Sequence, residues 1–207
     1  MGGLVIKPRA RLLHGHDWVF SGEVLKVFGS PRDGDVISLK DGRDRLLGSA
    51  IYNSRSQIVA RRFSRRKQDL DLDFFQRRIA QAIAYRARRG LNLQLCRLVW
   101  SESDGLPGVI VDRYGAHLVL QTLTLAMDQR KDLIVQTLQG IGGTTSVSSE
   151  FANTDGIRSA GGVDAEPGLA TPVSPAGGAP ALRSIIERND AAVRRAEGME
   201  LRSGVLA

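Results

Sequence analysis

Residues 100–125, WSESDGLPGVIVDRYGAHLVLQTLTL, constrain the local geometry more tightly than any other stretch of this chain. Asp104-Gly105 and Pro107-Gly108 are turn dipeptides, because glycine reaches positive φ without steric cost and proline presets its own φ. Val109 to Asp112 is a short β-branched run that suits a strand. Tyr114-Gly115-Ala116 interrupts it, and His117 to Leu123 alternates apolar and polar residues as a half-buried partner strand does. A turn followed by a β-hairpin is predicted.

Upstream, residues 1 to about 67 read as a small β-rich module. Leu4 to Lys7, Trp18 to Phe20, Val36 to Leu39, Leu46 to Ile51 and Ile58 to Phe63 are candidate strands, with Asp33-Gly34 and Asp41-Gly42 as turns. Short, closely spaced strands broken by glycine predict a compact barrel. From Asp71 to Gly90 the apolar residues Leu72, Phe75, Ile79, Ala82, Ile83 and Ala87 recur at three- and four-residue steps, which predicts a helix. Acidic residues at its start and arginines at its end complement the helix dipole. A second helix is predicted from about Met127 to Leu138. Residues 141–183 hold eight Gly, four Pro and nine Ser or Thr with little apolar periodicity, and read as a flexible insertion. Order is expected again from Ile185.

The charge is asymmetric. Residues 1–100 carry 20 Lys or Arg against 9 Asp or Glu, whereas residues 101–207 carry 9 against 13. A net charge of +7 concentrated at the front points to a polyanionic partner, nucleic acid before an anionic membrane surface. The single cysteine, Cys96, excludes an internal disulfide and any multi-cysteine metal site. No apolar run reaches bilayer-spanning length, and the N-terminus lacks the apolar core of a signal peptide, so no membrane partner and a cytoplasmic location are expected.

Two parts of the chain carry a family resemblance. Glu102-Ser103-Asp104-Gly105-Leu106-Pro107-Gly108 and then Val109-Ile110-Val111-Asp112-Arg113-Tyr114-Gly115 closely resemble the hallmark ESDGLPG-(V/L)-IVDRYG of the class I S-adenosylmethionine-dependent rRNA methyltransferases of the RlmI type. His16-Asp17-Trp18-Val19-Phe20-Ser21-Gly22-Glu23-Val24 and Tyr52-Asn53-Ser54-Arg55-Ser56-Gln57-Ile58 resemble that family's HPWVFSGEV and YNPxSQI segments, with Asp17 and Ser54 standing where it has proline. The block from Ile185-Ile186-Glu187-Arg188-Asn189-Asp190 to Met199 resembles its IYERSD…EGL/M segment, and Gly204-Val205-Leu206 resembles the start of its next one. The resemblance implies a PUA-like RNA-binding domain at residues 1–68 and the first part of a middle α+β domain at 69–140. It leaves 141–183 as an unmatched insertion and implies a truncated remainder of the middle domain at 184–207. The expected fold class is therefore α+β, a PUA-like β pseudo-barrel followed by a small α+β domain, with the Rossmann-like methyltransferase domain absent.

What this implies functionally is the RNA-binding part of an rRNA cytosine carbon-5 methyltransferase, inactive alone. Large-subunit rRNA is the expected partner, together with a separate methyltransferase domain. S-adenosylmethionine is the family's cofactor, and none is expected on this chain. The alternatives are a stand-alone PUA-type RNA-binding module and a non-functional remnant of a disrupted gene. The one glycine-rich candidate for a cofactor turn, Gly140-Ile141-Gly142-Gly143, follows a predicted helix rather than a strand. Cys96 lies among apolar residues and reads as an inert thiol, with no catalytic residue assigned. His14, His16 and His117 show no metal-ligand spacing.

The basic residues are the strongest functional signal. Arg61, Arg62, Arg65, Arg66 and Lys67 place five cations in seven residues, and Lys7, Arg9 and Arg11 form a second group, with His16 nearby. Such side chains neutralise phosphates, although a solvated face would look the same in sequence. Trp18 and Phe20 are candidates for base stacking or for the barrel core. Glu102, Asp104, Asp112 and Arg113 are candidates for a substrate channel; a turn aspartate and an Asp112–Arg113 strand-end ion pair account for them as well.

Overall fold

In the computed structural model, residues 2–8, 10–142 and 181–207 are described. The expected insertion at 141–183 falls largely outside them, as does Arg9.

The front module forms because its short strands alternate inward apolar with outward polar residues. Strands β1 (Gly3–Ile6), β2 (Trp18–Phe20), β3 (Val24–Phe28), β4 (Val36–Lys40), β5 (Leu46–Tyr52) and β6 (Ile58–Ser64) make a six-stranded sheet in the order β2-β6-β5-β4-β1-β3. All neighbours pair antiparallel except β1 and β4, which are parallel. Leu4, Ile6, Leu12, Val19, Ile37, Leu39 and Val59 fill its interior. β3 is not among the predicted strands: it is an edge strand whose central residues face solvent, so its pattern carries no burial signal.

Helix α1 (Leu72–Arg88) begins where Asp71 caps it, its carboxylate accepting the Phe74 amide at 2.8 Å. Phe74, Phe75, Ile79, Ala82 and Ile83 are its buried apolar residues, and Arg86 is buried with them. Behind α1 stands a second sheet, β11-β10-β9-β8-β7, built from β7 (Leu95–Trp100), β8 (Val109–Tyr114), β9 (His117–Thr122), β10 (Ser184–Asn189) and β11 (Arg202–Val205). The predicted hairpin is β8/β9. The predicted second helix is two pieces, α2 (Leu125–Asp128) and α3 (Lys131–Gly142). A final short helix, α4 (Val193–Ala196), precedes β11.

β10 pairs parallel with β9, Ile185 opposite Leu118, and α2 and α3 lie between the two in the chain. A parallel pair cannot be joined by a tight turn, so this connection is a strand–helix–strand crossover, the building unit of Rossmann-like sheets. This corrects the expected fold class: a plain α+β arrangement with the Rossmann-like methyltransferase element absent does not describe a sheet with such a crossover. The two sheets also share packing. Ile51 and Phe63 of the first belong to the same core cluster as Phe74, Val99, Val109, Leu120 and Ile185.

Candidate nucleic-acid interface

Two 3-10 turns, Arg11–His14 and Ser21–Glu23, flank β2. Glu23 joins them, accepting the Arg11 amide on Oε1 and the Phe20 amide on Oε2, each at 2.9 Å. Lys7 closes the corner, its Nζ donating to the Gly22 carbonyl at 2.7 Å. Lys7, Arg11, His16 and Trp18 are thereby exposed on one corner of the sheet. The Arg11 guanidinium sits 4.5 Å from the Phe20 ring centroid, and Phe20 meets Trp18 edge to face at 6.5 Å. The Arg61 guanidinium lies 5.3 Å from the Trp18 ring on the far side of this series. Two aromatic rings are flanked by a cation at each end, in the order Arg11, Phe20, Trp18, Arg61, and each cation–ring pairing of this kind is worth about 0.5–2 kcal/mol.

The run of five cations divides. Arg62 is buried and pairs with Asp17 at 2.7 Å. Arg61 is half-buried, its guanidinium donating to Glu102 at 2.9 Å and standing 3.7 Å from Glu197. Both hold the molecule together rather than facing a ligand. Arg65, Arg66 and Lys67 come after the strand ends and are exposed. The β2/β6 ladder continues past Trp18, with the Arg62 amide donating to Asp17 O at 2.7 Å, so the chain leaving β6 runs toward the His16 end of β2.

The four substrate-channel candidates are likewise tied up internally. Glu102 accepts the Trp18 indole N–H at 3.0 Å as well as Arg61. Burial raises its carboxyl pKa, but hydrogen bonds from Ser101 and its own backbone amide, with Arg61 and Trp18, bring it below its ordinary value. Asp104 takes two parallel bonds from Arg86, at 2.9 and 2.7 Å, and the Trp100 amide at 2.6 Å. Asp112 pairs with Arg97, which stands directly opposite on β7, at 2.7 Å. Arg113 instead donates to the Gly115 carbonyl at 2.9 Å. Asp112 and Arg113 thus take different partners, in keeping with consecutive strand residues pointing to opposite faces.

Several residues that bind the two sheets together are not singled out by the sequence. Asn53 Nδ2 donates to the backbone and carboxylate oxygens of Glu197, at 2.9 and 2.8 Å. Arg194, 1% exposed, reaches Asp128 at 3.0 Å and the carbonyls of Thr122 and Glu200. Lys131 bonds Glu187 at 2.5 Å, and Asn189 bonds Thr122 and Glu187. Asn53 falls in the resemblance segment 52–58 and Glu187, Asn189, Arg194 and Glu197 in the block 185–199, but no local pattern marks any of them. Where the sheets meet, a cavity of about 10 Å³ is lined by Asn53, Ile58, Arg61, Thr124 and Glu197. That is room for about one water, far below the ~300 Å³ at which ligand pockets begin.

Of the residues considered for a methyl-donor turn, Gly143 lies outside the described residues. Gly140 lies inside α3 rather than in a loop leaving a strand, where free amides would approach a cofactor. Cys96 is half-buried on β7, and burial pushes its thiol pKa up, with nearby Arg86 and Arg113 opposing. Among the described residues, no helix is long and apolar enough to cross a membrane.

A family model described as a PUA-like domain matches residues 6–65. The chain is 33% identical over 198 residues to the ribosomal RNA large subunit methyltransferase I of Klebsiella pneumoniae subsp. pneumoniae, covering 93% of this chain and 40% of that protein. It is 39% identical over 131 residues to the protein of the same name from Erwinia tasmaniensis, covering 62% of this chain and 33% of that one. The chain thus spans about 40% or less of the length of these curated relatives. Among solved structures it is similar, with a TM-score of 0.58 and 21% identity, to a putative methyltransferase complexed with SAH, over 68% of this chain and 37% of that one. A putative SAM-dependent methyltransferase from Streptococcus mutans matches with the same score, over 68% and 38%. These neighbours overturn the expectation that the Rossmann-like methyltransferase fold is absent: about two thirds of the chain takes a fold found in methyltransferases.

Proposed function

We propose, from the premise that this chain is a homologue of the RlmI-type ribosomal RNA large subunit methyltransferases and carries a PUA-like domain, that it grips large-subunit rRNA for carbon-5 methylation of a cytosine. The observation that carries this reading is the exposed basic corner built on β2, in which Lys7, Arg11, His16 and Trp18 are exposed and Arg11 lies over Phe20, with Arg65, Arg66 and Lys67 toward the same end. Cations of this kind release counterions from phosphates and supply affinity and orientation without reading sequence. The unit at residues 1–68 is the grip. The second sheet, locked to it through Asn53, Arg61, Glu102 and Glu197, sets the direction in which bound RNA is presented. S-adenosylmethionine is the methyl donor this reading implies for the family, and cytoplasm is the compartment.

The test replaces Lys7, Arg11, Arg65, Arg66 and Lys67 by Ala and measures rRNA-fragment affinity across a salt series. Arg61 and Arg62 are left intact because they hold the fold. The slope of log affinity against log salt is expected to flatten by about 0.7–0.9 for each phosphate that is no longer neutralised. An unchanged slope in a folded variant refutes the reading.

A further inference from the structure

We propose that the open face of Trp18 is a stacking subsite for one unpaired nucleobase of RNA, with Arg11 placed to meet the adjoining phosphate. This deepens the RNA-binding reading and rests on it. Trp18 is 38% exposed although three neighbours hold it. Its N–H is fixed by Glu102 at 3.0 Å, Arg61 lies over its ring at 5.3 Å, and Phe20 abuts it at an interplanar angle of 71°. Arg61 lies over the indole and Phe20 meets it at a steep angle, yet more than a third of the residue stays exposed beyond them. A ring fixed in this way loses little freedom when a base lands on it. Bases within a duplex are already stacked on one another, so only an unpaired or flipped-out base can use such a face.

The electrostatics favour an anionic strand on this ring. From Val5 to His16 the chain holds Lys7, Arg9, Arg11, His14 and His16 and no carboxylate. Arg11 has a side chain 61% exposed, and Glu23 stands 3.8 Å from its guanidinium. It extends over Phe20, the ring next to Trp18. The other tryptophan, Trp100, is more exposed at 57% and also has a guanidinium nearby, from Arg97 at 5.1 Å. That guanidinium is paired with Asp112, as Arg61 is with Glu102; the difference is that the sheet face around Trp100 presents Leu95, Ile110, Tyr114 and Val119, whereas the exposed Arg11 lies over the ring next to Trp18. Exposure alone would choose Trp100; charge complementarity chooses Trp18.

The experiment uses the full chain carrying Trp100→Phe, which leaves Trp18 as its sole indole. Its emission is followed while an unstructured oligoribonucleotide, or a blunt duplex of the same composition, is added. The unstructured RNA is expected to quench the emission strongly and the duplex hardly at all. Trp18→Leu is expected to weaken the unstructured RNA roughly tenfold and to leave the duplex unchanged. Trp18→Phe, which keeps a smaller aromatic face and loses the bond to Glu102, should recover most of that loss. If the unstructured RNA binds with normal salt dependence but does not quench, the subsite is wrong and the RNA reading stands. If neither RNA binds, both fail. Equal losses for Leu and Phe, on both RNAs, make Trp18 a strut between the sheets and overturn the proposal. Should the Leu variant unfold, the quenching contrast between the two RNAs decides.

Discussion

Removing both members of the Arg86–Asp104 pair should cost clearly less than the sum of the two single removals. Arg86 sits on α1 and Asp104 in the 3-10 turn after β7, with side chains 8% and 10% exposed. Arg86 also donates to Arg97 O at 2.5 Å and Ala82 O at 3.0 Å, while Asp104 also accepts the Trp100 amide. Asp104→Leu leaves a buried guanidinium with two carbonyls and no counter-charge. Arg86→Met leaves a buried carboxylate with a single amide. Breaking one side of such a pair costs about 3–5 kcal/mol. For a chain of this size that corresponds to a fall in Tm of roughly 10 °C. In the double variant no charge remains, and the residual cost is an orphaned carbonyl and amide at ~1–3 kcal/mol each. The coupling energy should therefore be at least about 2–3 kcal/mol. Urea unfolding of the four proteins measures it. Single losses that add to the double loss would refute the account. So would an Asp104→Leu variant of normal stability that has lost RNA binding, since that would make Asp104 a ligand contact.

Two further outcomes follow from the geometry. Burial raises the Asp128 carboxyl pKa, but hydrogen bonds from Arg194 and Thr122 and the charges of Arg194 and Lys131 hold it below its ordinary 3.8. A carboxyl depressed by folding stabilises fully above its unfolded pKa, and that contribution is lost as pH falls through the folded value. Asp128→Asn should accordingly be less stable than the parent at neutral pH, with the gap in urea midpoint closing below pH 3.8; a gap independent of pH would contradict this. Gly108 has φ +83°, and a Cβ there would lie 2.6 Å from Thr124 Cγ2 and 3.0 Å from its amide nitrogen. Gly115, at φ +60°, has nothing within 4 Å. Both Ala variants bear the left-handed strain of about 1–2 kcal/mol, but Gly108→Ala should lose clearly more in thermal unfolding; equal losses would dismiss the close approach to Thr124.

Where the chain is legible in sequence, one element carries a complete pattern. α1 shows its period and its Asp71 cap, and β8/β9 shows alternation around a glycine turn. β7 does not read as a strand for a specific reason. Its pairing with β8 slips between Arg97 and Val99, so Leu98 and Val99 both turn inward while Arg97 and Trp100, three apart, share the outer side. That bulge destroys the two-residue period on which strand reading depends. The crossover is hidden differently. Parallel pairing of β9 with β10 joins segments 67 residues apart in register, with the low-periodicity stretch between them, and local pattern carries no information at that range.

The same distance effect governs the candidate site. Arg61, Arg62, Arg65, Arg66 and Lys67 are one cluster in sequence, yet the partners that divide them are far away. Asp17 lies 45 residues before Arg62, and Glu102 lies 41 residues after Arg61. Local charge density therefore marks the polarity of the front module, while the identity of the ligand-facing cations depends on which carboxylates tertiary packing delivers. Glu102 shows why this matters for function. By accepting hydrogen bonds from the Trp18 indole and from Arg61, it fixes the aromatic ring of the proposed RNA-binding corner to the turn that precedes β8. The hallmark segment of the second sheet thus acts on the grip from behind, and a Glu102 substitution should disturb the orientation of Trp18 before it disturbs the basic surface around it.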